Sequence, residues 1–281
     1  MRILVNNQDF ASHRKQFTFD NQTLSYIDIG QGPVLLFGHA YLWDAQMWAP
    51  QIIELSQQYR CIVPDLWGHG LSSTMPENCR NLRDISSQML TFMDAIGIDT
   101  FSIIGSSVGA MWGAEMALAA PERVQRLVML NSFIGYEPEI TRDKFNAMLN
   151  VIKTEQCVSA KIRQAIVPLF FAQQAKPELV EHFNNTLDSI DNEPKIDTIC
   201  RLGNMIFGRR DTTEEAEALS LPCLIMAGAQ DKIRSVLESY LMQDVIRGSE
   251  FVQIPDAGHI STLEQADFIN QRLSQFLTPS E

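Results

Sequence analysis

The sequence predicts an α/β protein: a mostly parallel central sheet flanked by helices and interrupted by one helical insertion. Three observations carry this prediction. Short, almost wholly apolar runs recur along the chain, and such runs suit strands covered on both faces. Segments with helical spacing separate them, which is the alternation of a layered α/β sheet. One long stretch, 134–215, holds helix-like patterns but no convincing strand.

In chain order, QFTFD (16–20) and LSYIDIG (24–30) alternate apolar and polar residues before a break at Gly30-Gln31-Gly32-Pro33. They predict an antiparallel hairpin with one wet face. The apolar strands are then PVLLFGH (33–39), RCIVPDL (60–66), FSIIGSS (101–107), RLVMLNS (126–132), PCLIMAG (222–228) and FVQIPD (251–256). Helices are expected over 48–59, 82–97, 108–120, 235–247 and 263–277. In 82–97, Leu82, Ile85, Met89, Phe92, Met93 and Ile96 recur at helical spacing and form a core-facing stripe. The insertion carries four more helix-like stretches: Arg142–Lys153, Ser159–Phe171, Pro177–Asp188 and Lys195–Phe207. The core is therefore 1–133 together with 216–281, around an insertion at 134–215.

Composition excludes some function classes. The 281 residues are 45% hydrophobic and 20% charged, ordinary for a globular protein with one large core. A formal charge of −12 with no Lys/Arg-rich stripe argues against nucleic acid. The start, MRILVNNQDFASHRKQF, lacks the apolar core of a signal peptide, and no stretch approaches the roughly 20 apolar residues of a membrane span. The five cysteines are scattered, without C-x-x-C, which fits reduced thiols in a cytoplasmic protein better than disulfides or a metal site. Cys61 and Cys223, in apolar runs, read as small core residues.

Four stretches carry chemistry. In FSIIGSSVGAMWG (101–113), the frame G-x-S-x-G is met by Gly105 and Gly109 for Ser107 and not for Ser106. On these residues alone, Ser107 reads equally as a nucleophile on a sharp strand-to-helix turn or as a helix N-cap. A phosphate loop would need a G-K-[ST] ending, which is missing. His259, in the loop IPDAGHIS after the last strand, has the residue type of a general base, although a lone loop histidine is ordinarily solvated surface. Asp231, after the 222–228 strand, can orient that histidine, and the order Ser…Asp…His places each after its own strand. Asp65 and Asp256 are rival carboxylates. The fourth stretch is FGHAYLW (37–43). An oxyanion needs preplaced N–H donors, and the amides of Val108 and Tyr41 are the candidates, with His39 as a loop-holding residue.

Together these motifs resemble the α/β-hydrolase family with a helical cap, from about Gln16 to Leu277. The resemblance rests on His39-Ala40-Tyr41, on Asp65-Leu66-Trp67-Gly68-His69-Gly70-Leu71-Ser72 and on the 105–109 elbow. Gly228–Asp231, Pro121-Glu122-Arg123-Val124 and Ala257-Gly258-His259 followed by Glu264 complete it. It implies that Ser107 is the nucleophile, His259 the base and Asp231 the orienting acid, with Tyr41 and Val108 as oxyanion amides. It also implies that 134–215 is the cap, that Asp65 and His69 are structural, and that no metal or organic cofactor takes part. The chain departs from the family at Ala40, Ala110 and Arg234, none of them a catalytic group.

The activity implied is hydrolysis of a small neutral or hydrophobic ester, thioester or lactone through an acyl-enzyme. The pocket is expected between core and insertion, with Leu42, Trp43, Phe133, Ile134, Phe170 and Phe171 as candidate lining and a small-molecule acyl substrate as the partner. Arg209-Arg210 reads as a solvated pair. The same triad supports an acyltransferase or a cofactor-free perhydrolase, carbon–carbon cleavage occurs on this fold, and a non-catalytic ligand-binding protein is the reading from another class.

Overall fold

The computed structural model describes residues 10–278, so the apolar start at 1–5 lies outside the described residues. Eight strands build one sheet: β1 (Arg14–Phe19), β2 (Gln22–Ile29), β3 (Val34–Gly38), β4 (Arg60–Pro64), β5 (Phe101–Ser106), β6 (Val124–Leu130), β7 (Cys223–Gly228) and β8 (Glu250–Ile254). Their order is β1-β2-β4-β3-β5-β6-β7-β8. β1 and β2 form the predicted antiparallel hairpin. Its turn residues Asp20 and Asn21 take φ of 46° and 61°, the left-handed pair whose twist matches that of the strands. β2 pairs antiparallel with β4, and every later pairing is parallel.

β5 and β7 are buried at every position, which is why their sequences show no alternation. The helices that flank or interrupt the strands are α1 (Ala49–Leu55), α2 (Leu82–Ala95) and α3 (Val108–Ala119), then α4 (Glu139–Glu155), α5 (Ala160–Ile166), α6 (Pro177–Asp188), α7 (Glu193–Phe207) and α8 (Thr213–Ala216). α9 (Val236–Val245), α10 (Ser261–Glu264) and α11 (Ala266–Leu277) follow. α2 begins on a capping box, in which Asn81 and Asp84 each accept from the other's backbone amide. Between β6 and β7 the chain forms α4 to α8 and no strand, with α4 packed along α7. None of the helices among the described residues is long and apolar enough to cross a membrane.

Three helices differ from expectation. The 48–59 segment becomes a 3-10 turn, Ala45–Trp48, followed by α1, whose first turn holds Pro50 where no amide partner is needed. The 159–171 segment closes as α5 and then a 3-10 turn, Val167–Leu169, because Pro168 lacks the amide that would continue the α-helix. The last helix is broken at Gln265 into α10 and α11.

Candidate active site

Ser107 stands at the corner between β5 and α3 with φ 54° and ψ −120°, a conformation that costs a non-glycine residue about 1–3 kcal/mol. Its side chain makes no capping hydrogen bond, so the N-cap reading fails. The glycines of the frame exist for close approach. A Cβ on Gly109 would lie 2.0 Å from the carbonyl oxygen of Gly38, and one on Gly105 would lie 2.4 Å from the Ala110 amide. The helix is thus pressed against β3 and β5, which leaves Ser107 at the tip of the turn. Ser132 Oγ donates to the Ser107 carbonyl at 2.8 Å and fixes the corner from β6. Ser106 is buried, and its hydroxyl has no partner among the described residues.

Asp231 and His259 meet. His259 Nδ1 lies 2.8 Å from Asp231 Oδ2, with both side chains buried. The other oxygen, Asp231 Oδ1, accepts the amides of Ile233 (2.8 Å) and Arg234 (3.0 Å), so the carboxylate is held in place from its own loop. With Nδ1 donating to the carboxylate, Nε2 of His259 is the free basic nitrogen. Ser107 and His259 line the same cavity, although no hydrogen bond from Ser107 Oγ is formed among the described residues. The rival acids are elsewhere. Asp256 is exposed. Asp65 accepts from the Ala45 and Leu71 amides and from Arg14, and so ties the 65–72 loop to the hairpin.

The loop after β3 is shaped by two buried histidines. His39 Nε2 accepts from the Leu66 amide at 2.7 Å, and its Nδ1 faces the Ala40 carbonyl at 2.8 Å. His69 Nε2 accepts from the Leu42 amide at 3.1 Å, and its Nδ1 faces the Trp67 carbonyl at 2.9 Å. Each ring therefore carries its proton on Nδ1 and stays neutral; burial, with His39 nearby, pushes the His69 pKa down to about 3. The outcome is a loop bent at Leu42, φ 68°, in which the Tyr41 amide has no acceptor among the described residues. The Val108 amide, first in α3, has none either, at the positive end of that helix.

The cavity over Ser107 is nearly all apolar and offers about 70 Å³ to water-sized groups. Of the predicted lining, Leu42 and Phe170 are there. Trp43, Phe133, Ile134 and Phe171 are not among its lining residues. Trp43 is instead stacked on Phe183 at 4.6 Å, with Phe171 edge-on to both. The greater part of the wall comes from the insertion, including Phe145, Leu149 and Ile152 of α4, Ile162 of α5 and Phe207 of α7. Arg234 is its charged member, and Tyr41 and His259 are its titratable ones. A larger open cleft of about 850 Å³ runs under α7 past Arg80, Arg83, Arg201, Arg210 and Glu115; it takes in Ile134 but neither Ser107 nor His259. The candidate triad residues Ser107 and His259 line the smaller cavity.

A sequence profile described as alpha/beta hydrolase fold matches residues 33–151, which span β3 to α4 and include the elbow. An esterase from Thermogutta terrifontis superposes with a TM-score of 0.84 over 94% of this chain and 97% of its own, at 24% identity. The chain has the α/β-hydrolase fold. The enol-lactonase of Burkholderia xenovorans LB400 superposes equally well, at TM-score 0.84 and 21% identity, over 94% of this chain and all of that one. In sequence, 3-oxoadipate enol-lactonase 1 of Acinetobacter baylyi is 25% identical over 87% of this chain and 88% of its own.

Within this fold, sequence reasoning overlooked Asn131. It follows β6 at φ 48° and donates through Nδ2 to Asp231 Oδ2 (2.9 Å) and to the Gly258 carbonyl (3.1 Å), while its Oδ1 accepts from Ser261. One side chain thus ties the acid loop to the histidine loop. The only signal was an Asn-Ser pair closing an apolar strand. Arg209 is a correction: far from being solvated, its side chain is 3% exposed and bonded to Glu137, which also holds Arg234. A buried carboxylate between two guanidiniums explains the departure at Arg234.

Proposed function

We propose that this α/β-hydrolase is a serine hydrolase that cleaves a small neutral or hydrophobic ester, thioester or lactone through an acyl-enzyme on Ser107. The observation that carries the reading is the strained Ser107 facing one apolar cavity with a histidine whose far nitrogen is held by a buried carboxylate. The Ser107 oxygen attacks the carbonyl carbon while His259 Nε2 takes its proton. The charge that grows on imidazolium is met by Asp231, and the oxyanion is met by the amides of Tyr41 and Val108. His259 then returns the proton to the leaving oxygen or sulfur. Water, deprotonated by the same nitrogen, cleaves the acyl-serine, releases the acid and restores the hydroxyl.

The insertion at 134–215 serves as the cap, since its helices supply most of the wall against which an acyl group would lie. Apolar walls and a tight volume favour a short uncharged acyl chain, because the Arg234 charge is already matched by Glu137 and Glu238. Lactone and carboxylic-ester cleavage by the enol-lactonase relative and the esterase neighbour fits this class. Five free thiols among the described residues accord with a cytoplasmic location.

The test is Ser107→Ala on a short p-nitrophenyl ester together with fluorophosphonate labelling. Loss of turnover and of label is expected, with both retained in Ser106→Ala. Turnover persisting in Ser107→Ala would sink the proposal.

A further inference from the structure

Glu264 closes α10 with a half-buried carboxylate that has no cationic ion-pair partner among the described residues. Its two oxygens serve two different parts of the chain. Oε2 accepts the Gly258 amide at 2.7 Å, next to His259, and Oε1 accepts the Ala172 amide at 2.8 Å, within the insertion. The two segments are in direct contact there. A Cβ on Gly258 would lie 2.6 Å from the Ala172 nitrogen, so only glycine permits the approach. The Phe170 carbonyl accepts the amides of His259 (2.9 Å) and Ile260 (3.2 Å) across the same joint. The Phe170 ring, which lines the cavity, stands edge-on to the His259 imidazole at 5.4 Å.

We infer that Glu264 is a positioning residue, whose carboxylate locks the His259 loop to the 170–172 segment of the insertion and so sets the imidazole and the cavity wall together. The inference rests on the proposed role of His259 for its kinetic consequence and on geometry alone for its structural one. A carboxylate can accept both amides, whereas a carboxylic acid or an amide presents hydrogen toward one of them.

Several groups face this carboxylate. Asp231 comes from the acid loop and His259 from its own loop, while Lys232 Nζ is bonded to the carbonyls of Pro168 and Phe171. Segment 170–174 contributes no titratable side chain, and Asp256 on the adjacent turn is exposed. Burial is the largest influence and, with Asp231, outweighs the two amides and His259, lifting the Glu264 pKa to about 7.

The experiment compares wild type with Glu264→Gln in two readouts. At pH 8, amide exchange of peptides covering 170–174 and 256–260 is expected to be faster in Glu264→Gln than in wild type by about tenfold or more, the order that loss of one charge-assisted hydrogen bond gives. On an ester substrate at the same pH, Glu264→Gln should show a kcat lower by about tenfold with KM little changed, the order that small misplacement of a catalytic group costs. Unchanged protection of both peptides in the variant, or a kcat identical in the two proteins, would overturn the inference. If Glu264→Gln does not fold, Glu264→Asp, which keeps the charge but shortens its reach, takes its place in both readouts. If no ester is turned over, the exchange arm still stands, and only the proposed activity has failed.

Discussion

At the scale of single residues, the site is governed by how completely Asp231 is held. Four groups donate to it: the Ile233 and Arg234 amides, Asn131 Nδ2 and His259 Nδ1. Asp231→Asn would turn one side of the group into a donor facing other donors and would release the imidazole to the wrong tautomer. A fall in kcat of about 10⁴-fold on an ester substrate is expected. A loss under tenfold would remove Asp231 from the mechanism. Asn131→Ala leaves the Gly258 carbonyl and Ser261 without their partner. A loss of about 1–3 kcal/mol in denaturant unfolding is expected, with a drop in kcat smaller than that of Asp231→Asn. The sharp corner at Ser107 was legible because a glycine frame is a steric requirement that reads directly from residue type. Asn131 was not legible, since its role depends on three strand ends meeting in space and on a positive φ that no neighbour signals.

At the scale of elements, the legible features were those that burial writes into the pattern. β5 and β7 announce themselves as unbroken apolar runs because both faces are covered. The ends of elements were less legible, being set by caps and single prolines such as Pro168 rather than by periodicity. The glycines of the elbow are element-packing residues, and this yields a prediction. Gly109→Ala would drive a methyl group to 2.0 Å from the Gly38 oxygen, a backbone atom that cannot move aside without shifting β3. A loss of about 3 kcal/mol, the upper end for overpacked sites, is expected from chemical denaturation. Gly97→Ala is the control, because its φ of 72° is unfavourable but nothing lies within 4 Å of the added methyl. A smaller loss of about 1 kcal/mol is expected there. Equal losses in the two variants would show that crowding is not what the elbow glycine relieves.

At the scale of the whole molecule, each loop of the site is fastened to the insertion. Tyr41 Oη donates to the Ile199 carbonyl of α7 at 2.8 Å, Phe170 is bonded to the histidine loop, and Glu137 joins both ends of the insertion to the acid loop. The sequence showed that a strand-free, helical stretch separates the 126–132 and 222–228 runs. It could not show which faces of α4, α5 and α7 cover Ser107, because the docking of one amphipathic helix on another is settled by tertiary packing. Glu137 is a buried, charged fastening. It lies before α4, Arg209 lies after α7, and Arg234 follows Asp231, with all three side chains 2–3% exposed. Burial alone would raise the Glu137 pKa, but Arg234 and Arg209 outweigh it and hold the carboxyl below its ordinary 4.5. A carboxyl depressed in the folded state contributes stability that is fully present above its unfolded pKa and is lost as pH falls through the folded value. Wild type should therefore lose thermal stability on acidification below about pH 4.5, in part through this group. Glu137→Gln leaves two buried guanidiniums without their shared counter-charge, a change worth about 3–5 kcal/mol. For a chain of this size, that corresponds to a Tm lower by roughly 6–20 °C at neutral pH. Calorimetry from pH 3 to 8 is the measurement, and the gap between the two proteins should narrow toward pH 3, where wild-type Glu137 is also losing its charge. A gap that stays constant across that range would mean that the residue acts through shape and not through charge.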